Sequence, residues 1–171
     1  MKIIIINGYP RSGKDTFIDI CMPYASLEAC SIIDAVKIVA EEAGWNGGKE
    51  PKDRKFLCDL KDLLTDYNDF PLKCVFDFTA DTKTSYPAPD LLFITMRQPS
   101  DIWRFKRKYP EAITIFIERD EAKAAYQESE VLNAADSGVE DWNYDYYISN
   151  NGSIEDLDEA AKTFLKELEV I

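Results

Sequence analysis

Residues 1–16 read MKIIIINGYPRSGKDT, and this stretch decides the fold. The run Ile3 to Ile6 is too short to span a membrane and too β-branched to favour a helix. It suits a central parallel strand covered on both faces. Gly8-Tyr9-Pro10-Arg11-Ser12-Gly13-Lys14 then fits the GxxxxGK pattern, in which successive backbone N–H groups surround an anion and a helix begins behind it. Lys14 is placed to reach the β and γ phosphates of a nucleotide. The helical stretch expected from Asp15 to Cys21, stopped by Pro23, supplies the strand-loop-helix context that separates a working loop from a chance match. One position departs from the pattern. Where Ser or Thr would offer a hydroxyl to Mg²⁺, the chain has Asp15, followed by Thr16. A carboxylate beside a triphosphate is repulsive unless a cation lies between them, so Asp15 either helps hold Mg²⁺ or points away.

With 171 residues, 46% hydrophobic and 30% charged, the chain suits one domain with a substantial core. No run approaches the roughly 20 apolar residues of a spanning helix, and none reads as a secretory leader, so a cytoplasmic protein is expected. Cys21, Cys30, Cys58 and Cys74 form no CxxC pair, which leaves buried free thiols as their role. Histidine is absent, removing Ser-His-Asp and Cys-His catalysis and most catalytic zinc sites. Phosphoryl transfer survives that exclusion, since it needs positioning and positive charge more than a proton shuttle. The net charge of −12 argues against a partner that is a nucleic-acid polymer. A mononucleotide needs only a few local cations and the loop amides.

Along the rest of the chain strands alternate with helices. Ala29 to Ile33 reads as a second strand, with Asp34 capping a helix from Ala35 to Ala43 that ends at Gly44. Trp45 to Asp53, carrying Gly47, Gly48 and Pro51, reads as a loop. From Arg54 to Tyr67 the apolar residues follow helical spacing, and Arg54, Cys58, Lys61 and Thr65 share one edge. The two cations there are either ion-paired on a solvated edge or set to hold a ligand. Another helix starts near Pro71 and runs towards Asp81. Leu91 to Met96 is a third strand with Arg97 at its carboxyl end, the end where ligands gather in open parallel sheets. Ser100 is expected to cap a helix from Asp101 to Tyr109, whose Arg104, Lys106, Arg107 and Lys108 either compensate the helix dipole or meet a ligand. Ile113 to Ile117 is a fourth strand followed by Arg119 and a polar segment ending near Gly138. Asp145 to Ser149 is a fifth, Asn150 to Gly152 its turn, and Ser153 to Asp156 a capping box opening the last helix. The expectation is a three-layer α/β/α sandwich around a five-stranded parallel sheet.

Taken together, the RSGKDT loop (Arg11 to Thr16), the stretch from Lys49 to Asp62, Arg97, Arg119 and DYYISNNGS (Asp145 to Ser153) resemble the P-loop kinases of the nucleoside monophosphate kinase type. The resemblance is greatest to the phage deoxynucleoside monophosphate kinases. It implies a sheet in the order 2-3-1-4-5, with ATP on Gly8, Arg11, Ser12, Gly13, Lys14, Asp15 and Thr16 and with Asn150 beside the base. It implies further a mobile acceptor-binding region at about 44–67 and a short lid at about 119–138. Asp34, Arg54, Lys61 and Arg97 would then serve the acceptor. Lys14, Arg97 and Arg119 would be the catalytic cations. The chain departs from the family pattern in two places. The third strand ends in Met96-Arg97 and not in a metal-binding Asp, leaving Asp15 and Asp34 as candidates for Mg²⁺. With Glu118 just before Arg119, the lid after it carries Asp120, Glu121, Glu128 and Glu130 but only Lys123 as a cation. The implied activity is transfer of a phosphoryl group from Mg²⁺·ATP to a (deoxy)nucleoside monophosphate, with small nucleotides as partners, no membrane, and either a monomer or a homodimer as the active form. Kinases of dephospho-coenzyme A or phosphomevalonate type, and a catalytically silent nucleotide-binding protein, are the alternatives.

Overall fold

The computed structural model describes residues 1–128 and 138–171. Its elements in chain order are β1 (Lys2–Asn7), α1 (Lys14–Cys21), β2 (Leu27–Ser31), α2 (Asp34–Glu42), α3 (Pro51–Asn68) and α4 (Phe70–Thr84), then β3 (Leu91–Thr95), α5 (Pro99–Lys108), β4 (Ile113–Glu118), α6 (Asp120–Gln127), β5 (Tyr146–Ser149) and α7 (Ile154–Glu167). The strands form one parallel sheet in the order β2-β3-β1-β4-β5, as expected.

β1 is central because it can be buried on both faces. Ile3 to Ile6 are at most 2% exposed. Side chains alternate across a strand, so the run supplies two cores. Ile3 and Ile5 join Leu92 and Ile94 of β3 under Leu72 and Val75 of α4 and Ile102 and Phe105 of α5. Ile4 and Ile6 join Phe93, Ile115 and Ile117 over Phe17 of α1 and Leu157 and Phe164 of α7. The register pairs Ile5 with Ile94 on one side and with Thr114 on the other. Both layers of helices are thereby tied to one strand, and its carboxyl end is fixed where the GxxxxGK turn leaves it.

Several boundaries differ from expectation for local reasons. α3 begins at Pro51 and not at Arg54, because Pro51 sits in the first turn and the Asp53 carboxylate accepts from Glu50 N at 3.2 Å. Ser100 does not cap α5; Pro99 starts that helix two residues earlier than expected and Gln98 is its N-cap. The polar segment after Arg119 opens with a helix, α6, whose first turn carries Asp120 and Glu121 as the helix dipole favours. The rest of that segment, including Glu130 and the lid from 129 to 137, lies outside the described residues. α3 turns into α4 at Asp69, whose φ of 60° lets its N–H close on the carbonyls of Leu64 and Thr65. The four cysteines are free; burial pushes the thiols of Cys21 and Cys30 up to about 12. No helix among the described residues is long and apolar enough to cross a membrane.

Phe17 follows the glycine turn directly and packs against Phe93 and Phe164 at centroid distances of 6.4 and 5.9 Å. Phe17→Ala is expected to cost about 3–5 kcal/mol. The measurement is a urea titration in which the midpoint falls; an unmoved midpoint would show that α1 is not anchored through this ring.

Candidate active site at the carboxyl ends of the strands

The loop between β1 and α1 is shaped by positions that only particular residues tolerate. Gly8 has φ 147°, and a Cβ there would meet Ser12 Oγ at 2.6 Å and the Ile117 carbonyl at 2.7 Å. Gly13 has φ 95°, and a Cβ on it would run into the Asn150 amide. Arg11 holds φ 66°, a left-handed conformation costly for a residue with a Cβ. Tyr9, buried beside Phe116 and Tyr126, braces the outer side of the turn, and burial followed by the charge of Glu140 pushes its phenol up to about 12. Lys14 is buried, its ammonium 2.8 Å from the carbonyl oxygens of both Gly8 and Tyr9 and 3.4 Å from Ser12 Oγ. The loop carries its cation inward, at the start of a helix whose amide dipoles favour an anion.

Because all five strands are parallel, their carboxyl ends face the same side, and most of the anticipated residues gather there. Arg97 stands two residues beyond β3, and Arg119 directly follows β4. Asn150 directly follows β5 and donates from Nδ2 to the Ser12 carbonyl at 2.8 Å, fastening the loop to the far side of the sheet. Arg119 pairs with Glu121 at 2.9 Å on the rim of a cleft of about 140 Å³ that is also lined by Asn150, Asn151 and Gly152. Asn151 keeps that cleft in shape by accepting from Asp120 N at 2.8 Å.

Asp15 and Thr16 are exposed in the first turn of α1. Asp34 is engaged already, accepting from Ser31 N at 2.7 Å and from Lys37 at 3.2 Å. Among the described residues no group of three or more acidic, His or Cys side chains could hold a metal unaided. That donor set fits Mg²⁺ delivered on phosphates, since this ion is commonly bound by one or two carboxylates plus phosphate oxygens and water.

The two cations of α3 part company. Arg54 is exposed and donates from Nε to the Lys49 carbonyl at 3.1 Å. Lys61 is 7% exposed, and its ammonium is bound to Asp101 at 2.7 Å and to Gln98 at 2.6 Å. Arg104 completes the group by holding both Asp101 and Asp69, at 2.5 and 2.6 Å. Lys61 therefore joins α3 to α5 next door to Arg97, and does not present its charge to the strand ends.

Asn7 is the residue that sequence reading passed over. It is fully buried at the end of β1 and uses its whole amide: Oδ1 accepts from Gly8 N at 2.8 Å, and Nδ2 donates to the Arg97 carbonyl at 3.0 Å and to the Tyr144 hydroxyl at 2.6 Å. Tyr144 passes its own proton to the Val139 carbonyl at 2.6 Å. One side chain thus sets the entry to the phosphate loop, the backbone of Arg97 and the segment leading into β5. The available signal was a lone polar residue closing a run of isoleucines.

No family model matches the chain, and no curated protein matches it in sequence. Solved structures do share its fold. A sugar kinase from Janibacter sp. HTCC2649 is 18% identical with a TM-score of 0.51, covering 97% of this chain and 95% of its own. Dephospho-CoA kinase from Campylobacter jejuni is 14% identical with a TM-score of 0.53, covering 98% and 97%. APS kinase from Mycobacterium tuberculosis, in complex with AMPPNP and APS, is 13% identical with a TM-score of 0.50, covering 98% and 97%. The chain has the P-loop kinase fold, a five-stranded parallel sheet with helices on both sides.

Tyr144→Phe removes one hydroxyl and keeps the ring packed against Phe116. It leaves the Val139 carbonyl without its donor and Asn7 without one acceptor, a loss of about 1–3 kcal/mol. Equilibrium denaturation is expected to register that loss, and a variant as stable as the parent would show that the relay contributes nothing.

Proposed function

We propose that the protein transfers the γ-phosphoryl group of ATP to the phosphate of a (deoxy)nucleoside monophosphate, giving the diphosphate. The observation that carries this reading is the loop itself: a glycine-shaped turn with Lys14 folded into it, at the strand ends where Arg97 and Arg119 also stand. In this scheme the loop amides and Lys14 take the β and γ phosphates, the ammonium exchanging the Gly8 and Tyr9 carbonyls for phosphate oxygens. An oxygen of the acceptor phosphate attacks the γ phosphorus in line while the bond to the β-phosphate oxygen breaks. The acceptor is ionised near neutral pH, so no general base is needed and the absence of histidine carries no penalty. Arg97 and Arg119 neutralise charge on the transferring group. Asp15, together with the phosphates, would hold Mg²⁺, which would supply further charge neutralisation. The cleft bounded by Arg119, Asn150 and Gly152 is assigned to the ATP base.

For the acceptor, the connection between α2 and α3 is the best-placed segment. It carries Gly47 and Gly48, Arg54 one helical turn on, and Trp45, whose Nε1 is a buried donor without a partner among the described residues. Among the described residues the bond of the exposed Arg54 is to the Lys49 carbonyl, so its guanidinium can be recruited to a phosphate at little cost. A dephospho-CoA-type acceptor is the second reading, since the Campylobacter jejuni dephospho-CoA kinase shares the fold with a TM-score of 0.53.

An acceptor panel with Mg²⁺ and ATP separates these readings: the deoxy- and ribonucleoside monophosphates, dephospho-CoA and phosphomevalonate, with Lys14→Ala as the loss-of-loop control. Turnover of monophosphates that falls by about 10²-fold or more in the Lys14 variant is the expected result. Turnover of dephospho-CoA or phosphomevalonate alone would replace the acceptor, and ATP binding without any turnover would replace the activity.

Arg54→Ala is expected to raise the KM for the monophosphate about tenfold or more and to leave the KM for ATP unchanged, since a charge-assisted phosphate contact is lost. If the role of Arg54 is confined to the helix surface, varying each substrate in turn will give parental values for both.

A further inference from the structure

α3 presents more apolar surface than its own core covers, even its better-covered Leu57 and Leu64 being only half-buried. The one side chain it buries fully is Lys61, whereas Phe56 is 39%, Leu63 65% and Tyr67 81% exposed. With Leu60 these residues recur at intervals of four, three and four, which places them in a single seam along the helix, as at the a and d positions of a coiled coil. Arg54, Cys58, Lys61 and Thr65 occupy the opposite side, so the seam faces away from α5, to which Lys61 is bound.

The charges beside the seam are also arranged against the interest of an isolated helix. Lys52, Arg54 and Lys55 outnumber Asp53 in the first half of α3, and the exposed carboxylates Asp59, Asp62 and Asp66 stand in the second. A helix dipole favours the reverse order. Two copies of α3 laid antiparallel about a two-fold axis remove the conflict, because the cationic half of each then lies along the anionic half of the other. The apolar seams meet in the same arrangement, Phe56 towards Tyr67 and Leu60 towards Leu63 of the second copy. A two-fold interface requires such self-complementarity of one patch, and α3 has it in both shape and charge. The Lys55–Asp59 pair within the helix is fully at the surface, so it can be exchanged for a pair across the axis at little cost.

We propose that α3 is a homodimerisation surface, its partner a second copy of this chain packed antiparallel along Phe56, Leu60, Leu63 and Tyr67. The contact leaves Arg54 and the strand-end cluster accessible, and it holds whatever reaction the site performs.

Sedimentation equilibrium of the purified chain over a range of concentrations tests it. The expected result is a mass that doubles with concentration for the parent, and a monomer throughout for Leu63→Lys, a substitution at an exposed position that the fold tolerates. Lys55→Asp is expected to weaken the dimer by placing like charges across the axis, and Lys55→Asp combined with Asp66→Lys to restore it. A parent that remains monomeric, or a dimer indifferent to Leu63→Lys, would overturn the proposal. Failure of the double variant to recover would overturn the antiparallel arrangement. Circular dichroism of each variant establishes that it is folded.

Discussion

The burial of β1 on both faces is the constraint from which the rest follows. A strand with no solvent-facing side must lie inside the sheet, and here it lies between β3 and β4 with a helical layer above and below. Ladder hydrogen bonds on both edges remove any freedom to slip, since a shift of one residue would exchange the contents of the two cores. The chain that leaves its carboxyl end therefore starts from a fixed point. Asn7 transmits that position laterally, to the loop through Gly8 and to β3 through the Arg97 carbonyl.

The positive side chains at the strand ends belong to a chain that is otherwise strongly acidic. Such a distribution suits a small polyanion better than an extended one. A mononucleotide would need only the loop amides and a few local cations, whereas a longer phosphate backbone would run out over repelling surface. The lysines and arginines of α5 do not alter this balance. Arg104 is committed to Asp101 and Asp69, Lys106 lies 3.5 Å from Asp145, and Arg107 and Lys108 lie over the rings of Trp103 and Phe76. Their concentration in the last turn also matches the dipole of that helix.

How far the sequence revealed this can be followed residue by residue. The isoleucine run and the GxxxxGK turn are local signals, and both the sheet order and the strand-loop-helix unit agree with them. The starts of α3 and α5 were misplaced because Pro51 and Pro99 outweighed the polar residues around them as helix openers. The inward edge of α3 was visible as a spacing, but the partner of Lys61 was not: Asp101 is 40 residues away, and only the folded chain brings it near. Asn7 and Tyr144 are separated by 137 residues, so their hydrogen bond had no local trace at all. Periodicity reports which face is covered; it carries no information on which distant polar group covers it.

The attachment of α3 through Lys61, Asp101 and Arg104 has a thermodynamic consequence. A helix held in part by buried charge releases less apolar surface when it lifts than one held by an apolar face alone, and exposed apolar surface is what sets both the heat capacity of opening and its response to urea. Separation of α3 from α5 would therefore carry a smaller signature in either quantity than the cooperative loss of the two sheet cores.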